Sequence, residues 1–214
     1  MTNVWPHWPG LDEDVAAIFD PLGNAAHTAL AFPVLGEDVL VSGAGPIGLM
    51  AAAVVRHAGA RYVVVSEPNP VRRAITARMG PTVTIDLRER DLADAMKELG
   101  MTEGVDVALE MSGNAAALRA AISGMAHGGC IAILGIPTAE ISLDVNEIVV
   151  KMLTLRGICG REMYETWYKM TVMLQSGLDI TPAITHRFPF RGHAAAFAAA
   201  HSGDASKVIL DWTS

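Results

Sequence analysis

Gly43-Ala44-Gly45-Pro46-Ile47-Gly48 decides how this chain of 214 residues is read, because of what stands on either side of it. Asp38-Val39-Leu40-Val41-Ser42 precedes it, a short apolar, β-branched run that reads as a buried parallel strand. Leu49-Met50-Ala51-Ala52-Ala53-Val54-Val55 follows, strong helix formers mixed with core residues. A second strand, Tyr62-Val63-Val64-Val65-Ser66, then delivers Glu67, nineteen residues past Gly48. Strand, glycine turn, helix, strand and acid in this order predict a dinucleotide site. Of three glycines such as Gly43, Gly45 and Gly48, one permits the tight turn and one lets the backbone approach a pyrophosphate. The third lets helix and strand pack closely. The helix N-terminus adds unpaired N–H groups and partial positive charge. A carboxylate at Glu67 would accept hydrogen bonds from the adenosine ribose and repel a 2′-phosphate, favouring NAD over NADP. A methyltransferase using S-adenosylmethionine has a similar turn and acid, and a glycine turn kept for packing is the bland alternative. Both stay open at this point.

Composition narrows the class. With 51% hydrophobic residues the chain can bury one sizeable core and a small appendage. A net charge of −7 without a compensating basic cluster argues against a general nucleic-acid surface. Mean hydropathy is +0.32, yet no uninterrupted apolar run approaches the ~20 residues that span a bilayer. The first nine residues hold two tryptophans and two prolines rather than a basic and apolar signal segment, so a cytoplasmic location is expected. Cys130 and Cys159 are too few and too far apart for a disulfide framework or a cysteine zinc site.

Along the chain, Asp12-Glu13-Asp14 reads as an acidic helix start leading into Val15 to Phe19. Asp20-Pro21-Leu22-Gly23-Asn24 is expected to break that helix, and Ala25 to Ala31 to resume as a second. Residues 38–160 then alternate strand and helix. Further strands are expected at Val83 to Ile85, Val105 to Leu109, Gly129 to Gly135 and Leu153 to Cys159. Helices are expected at Pro70 to Met79, Leu92 to Leu99, Ala115 to Met125 and 144–151. This alternation predicts an α/β fold of Rossmann type, a doubly wound parallel sheet with helices on both faces. Met163, Trp167, Met170 and Leu174 recur at helical spacing before Gly177 and read as core. Pro182 to Phe190 looks extended and turn-rich, His193 to Ser202 helical, and Lys207 to Trp212 a terminal strand whose partners lie elsewhere.

Longer stretches carry a resemblance. Residues 18–30, IFDPLGNAAHTAL, the glycine turn, Leu109-Glu110-Met111-Ser112-Gly113, residues 160–170, GREMYETWYKM, and Ile184-Thr185-His186-Arg187-Phe188 are similar to the zinc-containing medium-chain alcohol dehydrogenase family. Within that family they resemble its L-threonine 3-dehydrogenase branch, from about residue 11 onward. The resemblance implies oxidation of the threonine hydroxyl by NAD. It places Ile47 beneath the phosphates, Glu67 at the ribose and Arg72 at the adenosine end. Leu134, Gly135, Ile136, Ile158 and Cys159 would line the nicotinamide side, and Asp20 would assist a proton relay near the metal. Family members also carry an N-terminal domain with catalytic and structural zinc ligands, where zinc lowers the pKa of the bound alcohol. Those ligands are missing here, so the sequence reads as the C-terminal, cofactor-binding portion of such an enzyme, expected to be inactive alone. Residues 1–37 would be a remnant of the catalytic domain, 38–180 the NAD-binding domain, and 181–214 a segment returning to the catalytic domain.

Other candidates are weaker. The seven histidines lack ligand spacing, and His27 reads more readily as bonded to a carbonyl than as a substrate contact. Glu110 either faces a ligand at the sheet's rim or bonds a nearby backbone amide. Two other functions stay open: a free-standing NAD-binding module, and one half of a split dehydrogenase. Without a covering domain, Ile18-Phe19, the 193–202 helix and the 207–212 strand are expected to expose apolar area. A homo-oligomer is expected, formed there or through the sheet edge.

Overall fold

The computed structural model describes residues 4–213. Asp12 opens α1 (Glu13–Ala17) by accepting from Asp14 N and Val15 N, and Ile18 separates it from α2 (Phe19–Ala29). The break therefore falls at Ile18 and not at Asp20 to Asn24 as the composition of that stretch suggested. Pro21 lies in the first turn of α2, where a missing N–H leaves no intrahelical bond unmade, so it does not interrupt the helix. From there strand and helix alternate: β1 (Asp38–Ser42), α3 (Pro46–His57), β2 (Tyr62–Ser66), α4 (Pro70–Ala77) and β3 (Val83–Ile85). A second half follows: α5 (Leu92–Glu98), β4 (Val105–Glu110), α6 (Ala115–Gly124), β5 (Met125–Ile133), α7 (Val145–Val150) and β6 (Thr154–Gly157). The chain closes with α8 (Glu165–Gln175), β7 (Ile184–Pro189), α9 (His193–His201) and β8 (Lys207–Asp211).

Six strands form one parallel sheet in the order β3-β2-β1-β4-β5-β6. The order reverses beside β1, and at such a point successive crossovers leave on opposite faces and open a crevice. Both faces of the inner strands β1, β2 and β4 are buried, which explains their near-continuous apolar runs. Val39 and Val41 of β1 join one core with Val63, Val65, Val107 and Leu109, under α2, α3 and α8. Leu40, between them, joins the other core with Val64, Ala108 and Ile131, under α5 and α6. Ser42, Ser66 and Glu110 stand in register, so the turns leaving β1, β2 and β4 emerge along one rim.

Two further expectations need correction. The stretch from Pro182 to Phe190 contains β7, and β8 finds its partner there, in a two-stranded parallel sheet joined through α9. Ile18 and Phe19 are buried, because α2 packs between α3 and α8; the Phe19 ring lies 5.3 Å from that of Trp167. Phe197 and Trp212 are exposed, although Trp212 stacks on Phe190 at 5.0 Å. Met170 is fully buried, with Trp167 and Leu174 packed beside it, as a core stripe requires. Met163 precedes α8 rather than lying in it. No described helix is long and apolar enough to cross a membrane.

Candidate cofactor-binding site

The rim of the sheet is shaped by the glycine turn. Gly43 adopts φ +93°, a region that disfavours any residue with a Cβ, and its N–H donates to Ser66 O at 2.8 Å. A Cβ on Gly43 would come within 2.8 Å of Ser112 Cβ. One on Gly48 would overlap the Gly43 carbonyl oxygen, so helix and turn touch backbone to backbone. A Cβ on Gly45, by contrast, would meet nothing within 4 Å. Gly45 is the N-cap of α3 and brings no side chain to its N–H groups. Each helix from α4 to α7 instead starts with an Asn or Asp that accepts from its first turn: Asn69, Asp91, Asn114 and Asp144. The start of α3 faces open space.

A cavity of about 670 Å³ opens on this turn, walled by Gly43, Gly45, Glu67, Arg72, Ser112 and Asn114 among others. Glu67 is buried; its Oε2 accepts from Ala44 N at 2.7 Å and its Oε1 from Asn69 N at 2.9 Å. A carboxylate has about four acceptor positions, so two remain for a ligand's hydroxyls. Arg72 Nε donates to Gly203 O at 3.2 Å, which ties α4 to the loop before β8.

Behind Glu67 the loop is fixed by charge. Asp86, just past β3, pairs with Arg73 Nη1 at 3.1 Å and Arg88 Nη2 at 2.6 Å. The same two guanidinium groups donate to Pro68 O, at 2.9 and 2.6 Å. Arg73 is thus part of an ion-pair knot, whereas Arg72 borders the cavity. Hydrogen bonds from the Arg88 side chain and backbone, with the positive charge of Arg73, hold the Asp86 carboxyl well below the ordinary carboxylate range. A depressed folded-state pKa gives stability that is present above the unfolded value, about 3.9, and lost as pH falls from there toward the folded value. Asp86→Asn is therefore expected to flatten the acid side of the stability profile in urea melts run between neutral and acid pH. An unchanged acid limb would remove Asp86 from that account.

The structure brings Gly43, Gly45, Glu67 and Arg72 together and leaves the other expected residues outside this cavity's wall. Gly48 acts in helix packing. Ile47 and Leu134 are half-buried against the core beside α2 and α3. Gly135 packs against Gly113 N and Glu110 Oε2, while Ile136 is 87% exposed. Ile158 is buried and Cys159 exposed, at the exit of β6. Asp20, on α2, pairs with Arg161, whose guanidinium lies 5.2 Å from the Trp167 ring. His27 Nδ1 donates to Gly160 O at 3.0 Å, so a carbonyl holds it.

Several residues at the site escaped sequence reasoning. Asn114 could have been found from its place before the alanine run of α6, but Ser112, Asp86 and Arg88 carry no local signal. Lys207, on β8 and outside this cavity's wall, is half-buried; burial lowers its pKa, and the Asp20 carboxylate opposes that shift.

Comparison with known proteins agrees with this geometry. Residues 46–176 match the family model for zinc-binding dehydrogenases. L-threonine 3-dehydrogenase from Solibacter usitatus is 59% identical over 212 residues, which is 99% of this chain and 62% of the relative. The enzyme of that name from Saccharopolyspora erythraea is 58% identical, again over 62% of its length. The chain thus spans about three fifths of the curated relatives it matches. Among solved structures, an alcohol dehydrogenase from Thermotoga maritima superposes with a TM-score of 0.86 at 27% identity, over 95% of this chain and 58% of its own. L-idonate 5-dehydrogenase from Escherichia coli gives 0.83 at 25%, over 96% and 59%. With the matched segment running from the start of α3 to the end of α8, more than half of its length, this chain belongs to the zinc-binding dehydrogenase family.

Proposed function

We propose that the chain binds NAD across the C-terminal rim of its six-stranded sheet, as the cofactor-binding part of an oxidoreductase of the L-threonine 3-dehydrogenase type. That reaction converts L-threonine and NAD to 2-amino-3-oxobutanoate and NADH. The observation that carries the reading is the pairing of an open Gly45, at an uncapped helix start, with a buried Glu67 on the same cavity. The N–H groups of α3 take the pyrophosphate, with Ile47 beneath it. Glu67 accepts from the adenosine ribose, and Arg72 borders the adenosine. Arg88, the other cation on the cavity wall, is held by Asp86 and Pro68 O, which leaves it poorly placed to receive a 2′-phosphate. Leu134, Gly135, Ile136, Ile158 and Cys159 flank the second nucleotide. When bound, NAD supplies the hydride acceptor.

Zinc is a different case. Among the described residues no group of three or more His, Cys, Asp or Glu side chains is arranged to hold a metal ion, so this part of the chain does not supply a donor set. The ligands would come from another segment or from a separate polypeptide, completing a site to which Asp20 contributes a proton relay. Residues 38–180 form the cofactor unit in this reading, flanked by segments 1–37 and 181–214 that belong with the substrate side. A cytoplasmic homo-oligomer through the open edge at β6 fits the exposed Val149, Val150 and Met152 beside it.

The test is to follow NADH formation when the chain is given L-threonine, NAD and zinc. The reading expects NAD binding without turnover. Turnover abolished by Asp20→Asn would mean that these residues build a complete active site, and the need for outside ligands would fall.

A further inference from the structure

Glu110, at the last position of β4, is enclosed at the point where the strand order reverses, and it is 1% exposed. Its carboxylate accepts from Ser112 N at 2.9 Å, Gly113 N at 3.0 Å and the Ser112 hydroxyl. Among the described residues no cation pairs with it, so these donors and the N-terminal end of α6 carry the stabilisation of its charge. Its backbone carbonyl reaches the other way, accepting from Leu134 N at 2.9 Å and Gly135 N at 3.0 Å. One residue therefore holds its own turn with its side chain and the exit of β5 with its backbone.

The two loops it joins touch without side chains between them. A Cβ on Gly113 would lie 2.6 Å from Ile136 O, and one on Gly135 would overlap both Gly113 N and Glu110 Oε2. The β1 turn is drawn in as well, through Met111 N donating to Ser42 O at 2.9 Å and the close approach of Gly43 to Ser112. Glu67 secures the first half of the rim by bonding the glycine turn itself. Glu110 secures the second half, where a doubly wound sheet receives the second nucleotide of a dinucleotide.

We infer that Glu110 is a positioning residue for the nicotinamide half of the cofactor: it anchors the 134–136 loop against the 111–114 turn, whose Ser112 and Asn114 also border the Glu67 cavity, and does not itself touch the ligand. This rests on the NAD-binding reading above. Glu110→Gln can keep an oxygen on Ser112 N, but it puts an NH₂ group at the Oε2 position, 3.2 Å from Gly113 N, donor against donor. The contact of the 134–136 loop then loosens, while Gly45, Glu67 and Arg72 of the ADP half keep their own bonds.

The experiment compares NAD with ADP, which fills only the first half, on the unmodified chain and on Glu110→Gln. The inference expects NAD to bind roughly tenfold more weakly to the variant, equivalent to about 1.4 kcal/mol, with ADP affinity within about twofold. Glu110→Asp, which keeps the charge, should recover part of the loss. Equal weakening of both ligands would make Glu110 a general structural residue, and no weakening of either would remove its role; each overturns the inference. An unmodified chain that binds neither ligand overturns the NAD-binding reading first, and this inference with it. Should Glu110→Gln fail to fold, Glu110→Asp takes its place, because it keeps the charge but shortens the reach to Gly113 N. It must weaken NAD more than ADP for the inference to stand.

Discussion

Gly48→Ala is expected to destabilise the chain by about 3 kcal/mol, near the upper end of what overpacking usually costs. The added methyl would overlap a backbone carbonyl, Gly43 O, which cannot rotate away as a flexible side chain would. Relief requires α3 to move off the turn, yet its Leu49, Met50, Ala51 and Ala52 are fully buried in the core under α2. With total stabilities of about 5–15 kcal/mol in ordinary domains, such a loss takes a large share of the whole. A chemical denaturation series measures it through the midpoint. A change below about 1 kcal/mol would show that α3 can retreat cheaply, and the close packing described here would be wrong.

Gly45→Ala, three residues earlier in the same motif, is expected to behave in the opposite way. Its backbone is extended, at φ −61° and ψ 174°, and its Cβ would project into open space. Stability should fall by no more than about 1 kcal/mol, the cost of a poorer N-cap. NAD affinity should fall about a hundredfold, close to 3 kcal/mol, because the methyl occupies the space through which the backbone approaches a pyrophosphate. Unfolding and titration of the one variant separate the two effects. Retained affinity would mean that the phosphates lie elsewhere, while a large loss of stability would mean that Gly45 serves packing after all.

The sheet was legible because its strands are buried on both faces and its turns carry glycine at fixed offsets. Val39-Leu40-Val41 and Tyr62 to Ser66 read as strands because they are short, β-branched and bounded by turns. Pro21 misled because local composition marks a breaker, whereas its effect depends on which helical turn it enters. The pairing of β7 with β8 was hidden for a related reason. The β7 residues His186 and Arg187 are exposed, so that strand lacks the apolar pattern that marks the others, and only the register with β8 defines it.

At the site, the first half was readable because one contiguous motif and one acid specify it. Glu110 could not be resolved from sequence, since a carboxylate at a strand end serves a ligand or a turn equally well. The bonds to Ser112 and Gly113 settle it in favour of the turn. Leu134 to Ile136 and Ile158 to Cys159 were named by resemblance, and their separation from the cavity on Glu67 reflects the two halves of the rim rather than a single pocket.

The central claim, that this rim is an NAD site with Glu67 selecting against NADP, is tested most directly by calorimetric titration of the unmodified chain with each dinucleotide. The account predicts saturable NAD binding and NADP affinity at least about tenfold lower, because a 2′-phosphate would meet the buried Glu67 carboxylate. Equal binding of both, or binding of neither, would contradict it.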